Sequence, residues 1–254
     1  MAASPNRPNT LFTLTDKALK PNKVLTVDTS SSPARIVSEI VLKKKTGSPN
    51  YDLEGISVAA EGGFWLVSEG KTNALIQVDQ EGLVIDEIGL PKEVEDQIDS
   101  HGLEGVAEQG DHVYVAFQSG WSDDAEPLGH IGRYTPLSGE WRFATYRRPD
   151  SHFASGLTNG PGGAIHLLLR DKLSREKARA KEIVKLSVND FESGRLPIMD
   201  RIDLVEVYQQ QKIPVPEKLE GLAFDGTSFW VVNDNDAMND SYGETHLIRI
   251  EGND

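Results

Sequence analysis

The sequence predicts an all-β fold, a β-propeller of about five four-stranded blades, from three observations. A short phrase is written three times, as Leu53-Glu54-Gly55-Ile56, Leu103-Glu104-Gly105-Val106 and Leu219-Glu220-Gly221-Leu222. With a degenerate fourth copy, Ala154-Ser155-Gly156-Leu157, the glycines lie 50, 51 and 65 residues apart, which is the period of a blade repeated around an axis. Each copy also begins an apolar run and is followed by a second run with an aromatic residue or histidine at its head. Two strands per copy therefore follow directly from the pattern.

The elements of one unit can be assigned in chain order. The glycine phrase forms the first strand, and the second begins nine or ten positions after the glycine, at Trp65, Tyr114, His166 and Trp230. The third and fourth strands flank a glycine turn, as in Ala74–Asp79 and Leu83–Ile88, or Ile131–Thr135 and Trp141–Tyr146. Runs rich in β-branched and aromatic residues between such turns are typical of strands. We expect the four head residues to pack in the core.

The two ends of the chain fit the repeat less well. Residues 1–10 lack an apolar core and are expected to be a disordered tail before one propeller domain, residues 11–254. The expected blades are residues 11–50, 51–100, 101–151, 152–216 and 217–254. The first supplies three strands, Leu11–Thr15, Val24–Asp28 and Ile36–Leu42, without an inner strand before Leu11, and the last reaches only its third, Leu247–Ile250. The ring is then either truncated at its N-terminus, which we favour because the missing strand should carry a glycine motif, or closed by an N-terminal strand that joins the last blade.

Composition narrows the function classes. The 254 residues include no cysteine, which excludes disulfides and thiolate metal sites. The net charge of -14 argues against nucleic acid as a partner and suits cations. No apolar stretch reaches the length of a membrane span. No Gly-x-Ser-x-Gly elbow, P-loop, His-Glu-x-x-His or dinucleotide fingerprint is present.

The glutamates of the repeated phrase are the first candidate site. Because Glu54, Glu104 and Glu220 hold equivalent positions on strands that line the central channel, symmetry should bring them together at one mouth. Carboxylates that converge in a narrow channel repel one another unless a cation or a proton intervenes. Ca²⁺ takes six to eight oxygen ligands, so three glutamates with carbonyls and waters would suit it.

Polar residues also end the second strands, at Glu69, Gln118, Arg170 and Asp234, and Asp16 holds the matching place near the N-terminus. Adjacent strands of a blade are antiparallel, so Glu54 and Glu69 should lie at the same mouth. We predict Glu54, Glu104, Glu220 and Asp16 as metal ligands, Glu69 or Asp234 as a base, and Arg170 as a phosphate anchor.

A purely structural role is the alternative for these residues. A glutamate before glycine can accept backbone N–H bonds from the next blade, and repeat proteins reuse such residues in every unit. Ser155 favours this alternative, because it makes the ring incompletely acidic. Arg170 would then form an ion pair with a ring carboxylate. The Asx-rich segment Asn233–Asp240 lacks EF-hand spacing, and we expect only its first half, up to Asp236, to belong to the mouth.

Several of these motifs together resemble a known family. Asp52–Ile56, Gly63–Glu69, Leu219–Ala223 and Val231–Asp236 are similar to segments of the phytase-like ("esterase-like activity of phytase") propeller domain. The resemblance extends from about Leu11 to Ile250. It implies the propeller fold, hydrolysis of phosphate or other esters, and a periplasmic or secreted location.

Two functional classes follow. In the first, the protein is a metal-assisted hydrolase whose bound Ca²⁺ polarises an ester or phosphoester and lowers the pKa of a bound water. In the second, it is a non-catalytic binding propeller, with a structural cation or none, that holds a small molecule, phosphorylated or not, or a protein partner through its rim loops. Fold alone does not decide between them.

Overall fold

The structure, a computed structural model, describes residues 1–15, 20–70, 73–98, 101–149, 151–171, 181–213, 218–234 and 245–251. The described residues form five antiparallel sheets, four of them four-stranded and one three-stranded. Their inner strands contact one another in succession around a ring. The prediction of an all-β propeller with five blades is therefore confirmed.

Each blade is a meander in which neighbours along the chain are neighbours in the sheet. The blades are β1–β4, β5–β8, β9–β12, β13–β16 and β17–β19. In chain order the strands are β1 (Ala2–Ala3), β2 (Thr10–Leu14), β3 (Lys23–Asp28), β4 (Arg35–Val41), β5 (Asp52–Val58), β6 (Phe64–Glu69), β7 (Ala74–Val78), β8 (Val84–Gly89), β9 (Leu103–Gln109), β10 (His112–Phe117), β11 (Leu128–Thr135), β12 (Glu140–Arg147), β13 (His152–Asn159), β14 (Ala164–Asp171), β15 (Lys181–Ser187), β16 (Ile198–Asp203), β17 (Leu219–Phe224), β18 (Ser228–Asn233) and β19 (Leu247–Glu251).

The N-terminal residues correct one expectation. Ala2 and Ala3, placed by sequence in a disordered tail, form β1, with Ala2 opposite Phe12 and Ala3 opposite Leu11 of β2. The inner strand that seemed to be missing before Leu11 is therefore present, and it contacts both β5 and β17. Met1 and Ala2 are 9% and 7% exposed. Two small residues carry no alternating pattern, so this strand could not be predicted from the sequence.

The apolar core lies between consecutive blades. Five clusters of buried side chains among the described residues correspond to the five blade interfaces. The interface of the last and first blades is the smallest and joins Met1 and Leu11 to Ala223. Burying a large apolar side chain contributes about 1.5–3 kcal/mol, so these interfaces hold the ring together. Trp65, Tyr114 and His166 are buried as predicted, and Trp230 is partly buried.

Two helices lie in the connections between blades. The helix α1 spans Lys92–Glu95, and α2 spans Leu204–Gln211 and contacts β15. Asp203 caps α2 by accepting the N–H groups of Val205 and Glu206, at 2.8 and 3.2 Å. Within the described part of the chain, no helix has the length and apolar character needed to cross a membrane.

Candidate metal centre

A β-bulge places the repeated glutamates. In β5, Leu53 pairs with Ser68 and Gly55 pairs with Val67, so Glu54 is an extra residue without a partner in the ladder. The same irregularity leaves out Glu104 in β9, Ser155 in β13 and Glu220 in β17. A bulge bends its strand and redirects the extra side chain. The repeated phrase is therefore a bulge motif. In each of these four blades it redirects one side chain away from the alternating pattern of the strand.

The glycine after each bulge allows the inner strands to approach. A Cβ atom on Gly55 would lie 2.9 Å from the Cα of Gly105, and one on Gly105 would lie 2.6 Å from the backbone nitrogen of Leu157. One on Gly156 would lie 3.3 Å from the backbone nitrogen of Leu222. Neighbouring blades are thus in backbone contact at this level, directly beside the redirected side chains.

Three carboxylates meet at this mouth of the channel. Oxygens of Asp52, Glu54 and Glu69 all lie within 4.8 Å of one another, which is close enough to share one cation. Asp52 is directly opposite Glu69 in the antiparallel pair of β5 and β6. The prediction that Glu54 and Glu69 occupy the same mouth is confirmed. The sequence analysis did not include Asp52 among the candidate residues. Its position opposite Glu69 nevertheless follows from the same antiparallel pairing of the first two strands of the blade.

The electrostatics of the mouth are unfavourable for so many negative charges. Burial, followed by the negative charges of Glu104, Glu69, Glu220 and Asp52 in that order, raises the pKa of Glu54 to about 10. Burial likewise raises the pKa of Glu104 well above its usual range, with Glu220 and Glu69 adding to the effect. Either a proton or a bound cation would relieve this unfavourable concentration of negative charge.

Two of the ring glutamates have polar partners of their own. Glu104 is 5% exposed and accepts a hydrogen bond from the side-chain amide of Gln118. Glu220 accepts a bond from a terminal nitrogen of Arg170 at 3.0 Å, with the Arg170 side chain 13% exposed. The ion pair that the structural alternative predicted for Arg170 is therefore present. The Nε of Arg170 is buried and has no hydrogen-bond partner among the residues that the structure describes.

The remaining predicted site residues are not members of the three-carboxylate cluster or lie outside the described chain. Asp234, at the end of β18, has a carboxylate oxygen 3.7 Å from the ammonium of Lys218. Asp16 lies outside the described residues, as does the segment 235–240 of the Asx-rich loop. In the fourth blade Ser155 replaces glutamate, and its hydroxyl donates to the carbonyl of Leu219 at 2.7 Å, a link between blades.

The donor set fits a hard divalent cation. Asp52, Glu54 and Glu69 offer only carboxylate oxygens, the ligand type that Ca²⁺ and Mg²⁺ prefer. The chain has no cysteine that would favour a softer metal. A cation at this place would also oppose the effects of burial and of the neighbouring carboxylates that together raise the pKa of Glu54 to about 10.

Comparisons with known proteins agree with the fold. The sequence model of a family described as "Phytase-like: Esterase-like activity of phytase" matches residues 1–237. No curated protein sequence matches the chain. Among solved structures, a luciferin-regenerating enzyme is similar, with a TM-score of 0.51 at 12% identity, over 97% of this chain and 75% of that one.

A second similar structure is the Bombyx mori GH32 β-fructofuranosidase BmSUC1, with a TM-score of 0.53 at 13% identity over 95% of this chain. The chain spans only 57% of that enzyme and 66% of a Bacteroides caccae protein of unknown function, which it matches with a TM-score of 0.45 at 13% identity over 90% of its own length. At such identities the luciferin-regenerating enzyme and the β-fructofuranosidase support the propeller fold alone.

Proposed function

The chain belongs to the phytase-like family, and from this membership we propose that it is a cation-dependent hydrolase of esters, phosphoesters among them, acting at the carboxylate mouth of the channel. The observation that carries the proposal is the meeting of the oxygens of Asp52, Glu54 and Glu69 within 4.8 Å of one another. Perturbed carboxyls that converge in a channel are typical of functional sites.

Asp52, Glu54 and Glu69 are the residues that would hold the cation. When bound, Ca²⁺ would polarise the ester or phosphoryl oxygen of the substrate and lower the pKa of a water molecule. Glu104 and Glu220 add negative charge around these ligands. Asp16 lies outside the described residues, and its role as a ligand stays a prediction from the sequence. Since Glu69 lies among the ligand oxygens, Asp234 is the better candidate for the base.

Arg170 gives the site a way to bind an anion beside its carboxylates. Its guanidinium already pairs with Glu220 through one terminal nitrogen, while its buried Nε has no partner in the described part of the chain. A phosphate oxygen of the substrate would satisfy that donor, and guanidinium binds phosphate strongly. We therefore assign Arg170 as the phosphate anchor, as the sequence predicted.

The test is turnover of p-nitrophenyl phosphate and p-nitrophenyl acetate in Ca²⁺ and in EDTA. We expect hydrolysis that depends on Ca²⁺ and falls about a hundredfold in Glu54→Gln, because one ligand charge is removed. Glu81→Gln changes an exposed turn residue and should behave as wild type. Arg170→Gln combined with Glu220→Gln should raise KM for the phosphate ester more than for the acetate ester.

Equal rates in EDTA, or full activity of Glu54→Gln, would contradict the hydrolase proposal. A folded protein that binds Ca²⁺ yet turns over neither ester would favour the binding propeller instead. The partners already provided for Glu104 and Glu220, by Gln118 and Arg170, support that second candidate. A periplasmic or secreted location stays a prediction from the family.

A further inference from the structure

The channel has a second mouth, at the ends of the inner strands and opposite to the carboxylate cluster. A cavity of about 1180 Å³ opens there. Four inner strands end at its wall, with Val58, Glu108, Asn159 and Phe224 among the lining residues, and the segment 2–7 completes the wall. Small-molecule pockets typically measure about 300–1,000 Å³, so this space accommodates an organic ligand.

The wall of this cavity combines apolar and polar residues. Phe12, Phe64, Ile56 and Phe224 line it together with glycines, alanines and several polar side chains. Phe12 and Phe64 are fixed against each other edge to face, with ring centroids 5.0 Å apart. An apolar body would therefore meet a surface that is already formed, at little cost in ordering.

One carboxyl on this wall has no cationic partner. Glu108 is partly buried, and its Oε2 accepts the N–H of Ala60 at 2.5 Å. Among the described residues no lysine, arginine or histidine forms an ion pair with it. Burial raises the pKa of Glu108 most, the hydrogen bonds from Ala60 and Trp65 oppose this rise, and the nearby charge of Glu61 adds to it. A cationic group on a ligand would stabilise the charged form of this partly buried carboxylate.

The other charged groups on the wall are already engaged. The carboxylate of Asp225 accepts bonds from the N–H groups of Thr227 and Ser228 and from the indole of Trp230. The guanidinium of Arg7 lies over the ring of Phe12, 5.4 Å from its centroid. Glu108 is therefore the group on this wall best placed to select a ligand by charge.

We propose that this second mouth is a binding site for a small organic ammonium ion, with its apolar body against the phenylalanine wall and its charged group on Glu108. The net charge of -14 attracts such a cation over the whole surface. Aromatic rings beside a carboxylate form a common environment for organic cations. The site lies on the far side of the bulge glycines from the candidate metal centre.

The test is titration of the full chain with phenethylammonium, benzyltrimethylammonium and the neutral 2-phenylethanol, followed by NMR and by thermal melting. We expect both cations to bind more tightly than the alcohol. Glu108→Gln keeps the shape and removes the charge, and should weaken phenethylammonium binding about tenfold. Glu93→Gln, an exposed residue of α1, and Glu54→Gln at the other mouth should leave it unchanged.

A second variant keeps the proposal falsifiable if Glu108→Gln unfolds. Ala60→Trp adds bulk at the exposed edge of the cavity and should abolish binding of both cations. Equal binding of amine and alcohol, equal affinity in Glu108→Gln, or no binding at millimolar ligand would overturn the proposal. Loss of binding in Glu54→Gln would also overturn it, because the ligand would then occupy the carboxylate mouth.

Discussion

His166 shows how one residue can depart from a repeated pattern while keeping its structural place. It stands where other blades have Trp65, Tyr114 and Trp230, and its ring packs on Phe229 with centroids 4.8 Å apart. The side chain is 5% exposed, and no group in the described part of the chain forms a hydrogen bond with its buried Nδ1. A histidine in this place must stay neutral for the fold to remain stable.

This environment predicts a loss of stability in acid. Burial lowers the pKa of His166 from 6.5 to about 4. The unfolded chain takes up the proton near pH 6.5 and the native state does not, so the free energy of unfolding falls as pH drops from 6.5 towards 4. At pH 5 this loss is about 2 kcal/mol. Urea unfolding at pH 7.5 and 5.0 should show the extra loss in wild type but not in His166→Phe, and equal losses would refute it.

The candidate site was only partly predictable at the residue scale. The register of antiparallel strands predicts that Glu54 and Glu69 meet, and they do. The sequence identified Gln118 as a ring residue, but not that it would bond Glu104. It also allowed two roles for Arg170 and could not choose between them. Which hydrogen-bond partner a side chain finds depends on its rotamer and on the relative positions of neighbouring blades. Neither can be read from a local sequence pattern.

At the scale of elements, the inner strands combine a bulge with a glycine. The bulge redirects the side chain, and the glycine allows the adjacent blade to approach. The bulge and the glycine occur together in four blades. This explains why the phrase recurs along the chain even where Ser155 replaces glutamate. The acidic residue places a carboxylate at the channel mouth, whereas the glycine allows neighbouring blades to pack closely.

Substitution of one glycine tests this division of roles. A Cβ on Gly105 would lie 2.6 Å from the nitrogen and 2.7 Å from the Cβ of Leu157, so Gly105→Ala should destabilise the protein by about 1–3 kcal/mol. The matched control is Gly89→Ala in β8, where a Cβ meets nothing within 4 Å. Urea denaturation measures both. Equal stability of the two variants would mean that close contact between blades does not require glycine at position 105.

Element prediction succeeded where the pattern was strong and failed where it was short. The paired strands β7 and β8 match the predicted Ala74–Asp79 and Leu83–Ile88 within one residue at each end. The strand β1 was missed because Ala2 and Ala3 are held in place by pairing with β2 and by contacts with β5 and β17, and the last two lie far away in sequence. Long-range packing can impose a strand on residues with no preference for one.

At the scale of the whole molecule, the ring separates two chemically different mouths. One holds the oxygens of Asp52, Glu54 and Glu69 and the cation of Arg170, and the other holds a cavity lined by apolar and polar residues, Glu108 among them. The repeat period and the antiparallel meander predict the ring and one acidic mouth. The second mouth was not predicted, because its wall combines residues from all five blades.

The most direct test of the account is calorimetric titration of Ca²⁺ into wild type, Glu54→Gln and Glu81→Gln at neutral pH, in two buffers of different ionisation enthalpy. Because the pKa of Glu54 is raised to about 10 without a cation, binding should release protons, so the measured heat should depend on the buffer. We expect saturable binding in wild type and Glu81→Gln and its loss in Glu54→Gln. Binding of equal strength in Glu54→Gln, or no binding by folded wild type, would contradict a metal centre at this mouth.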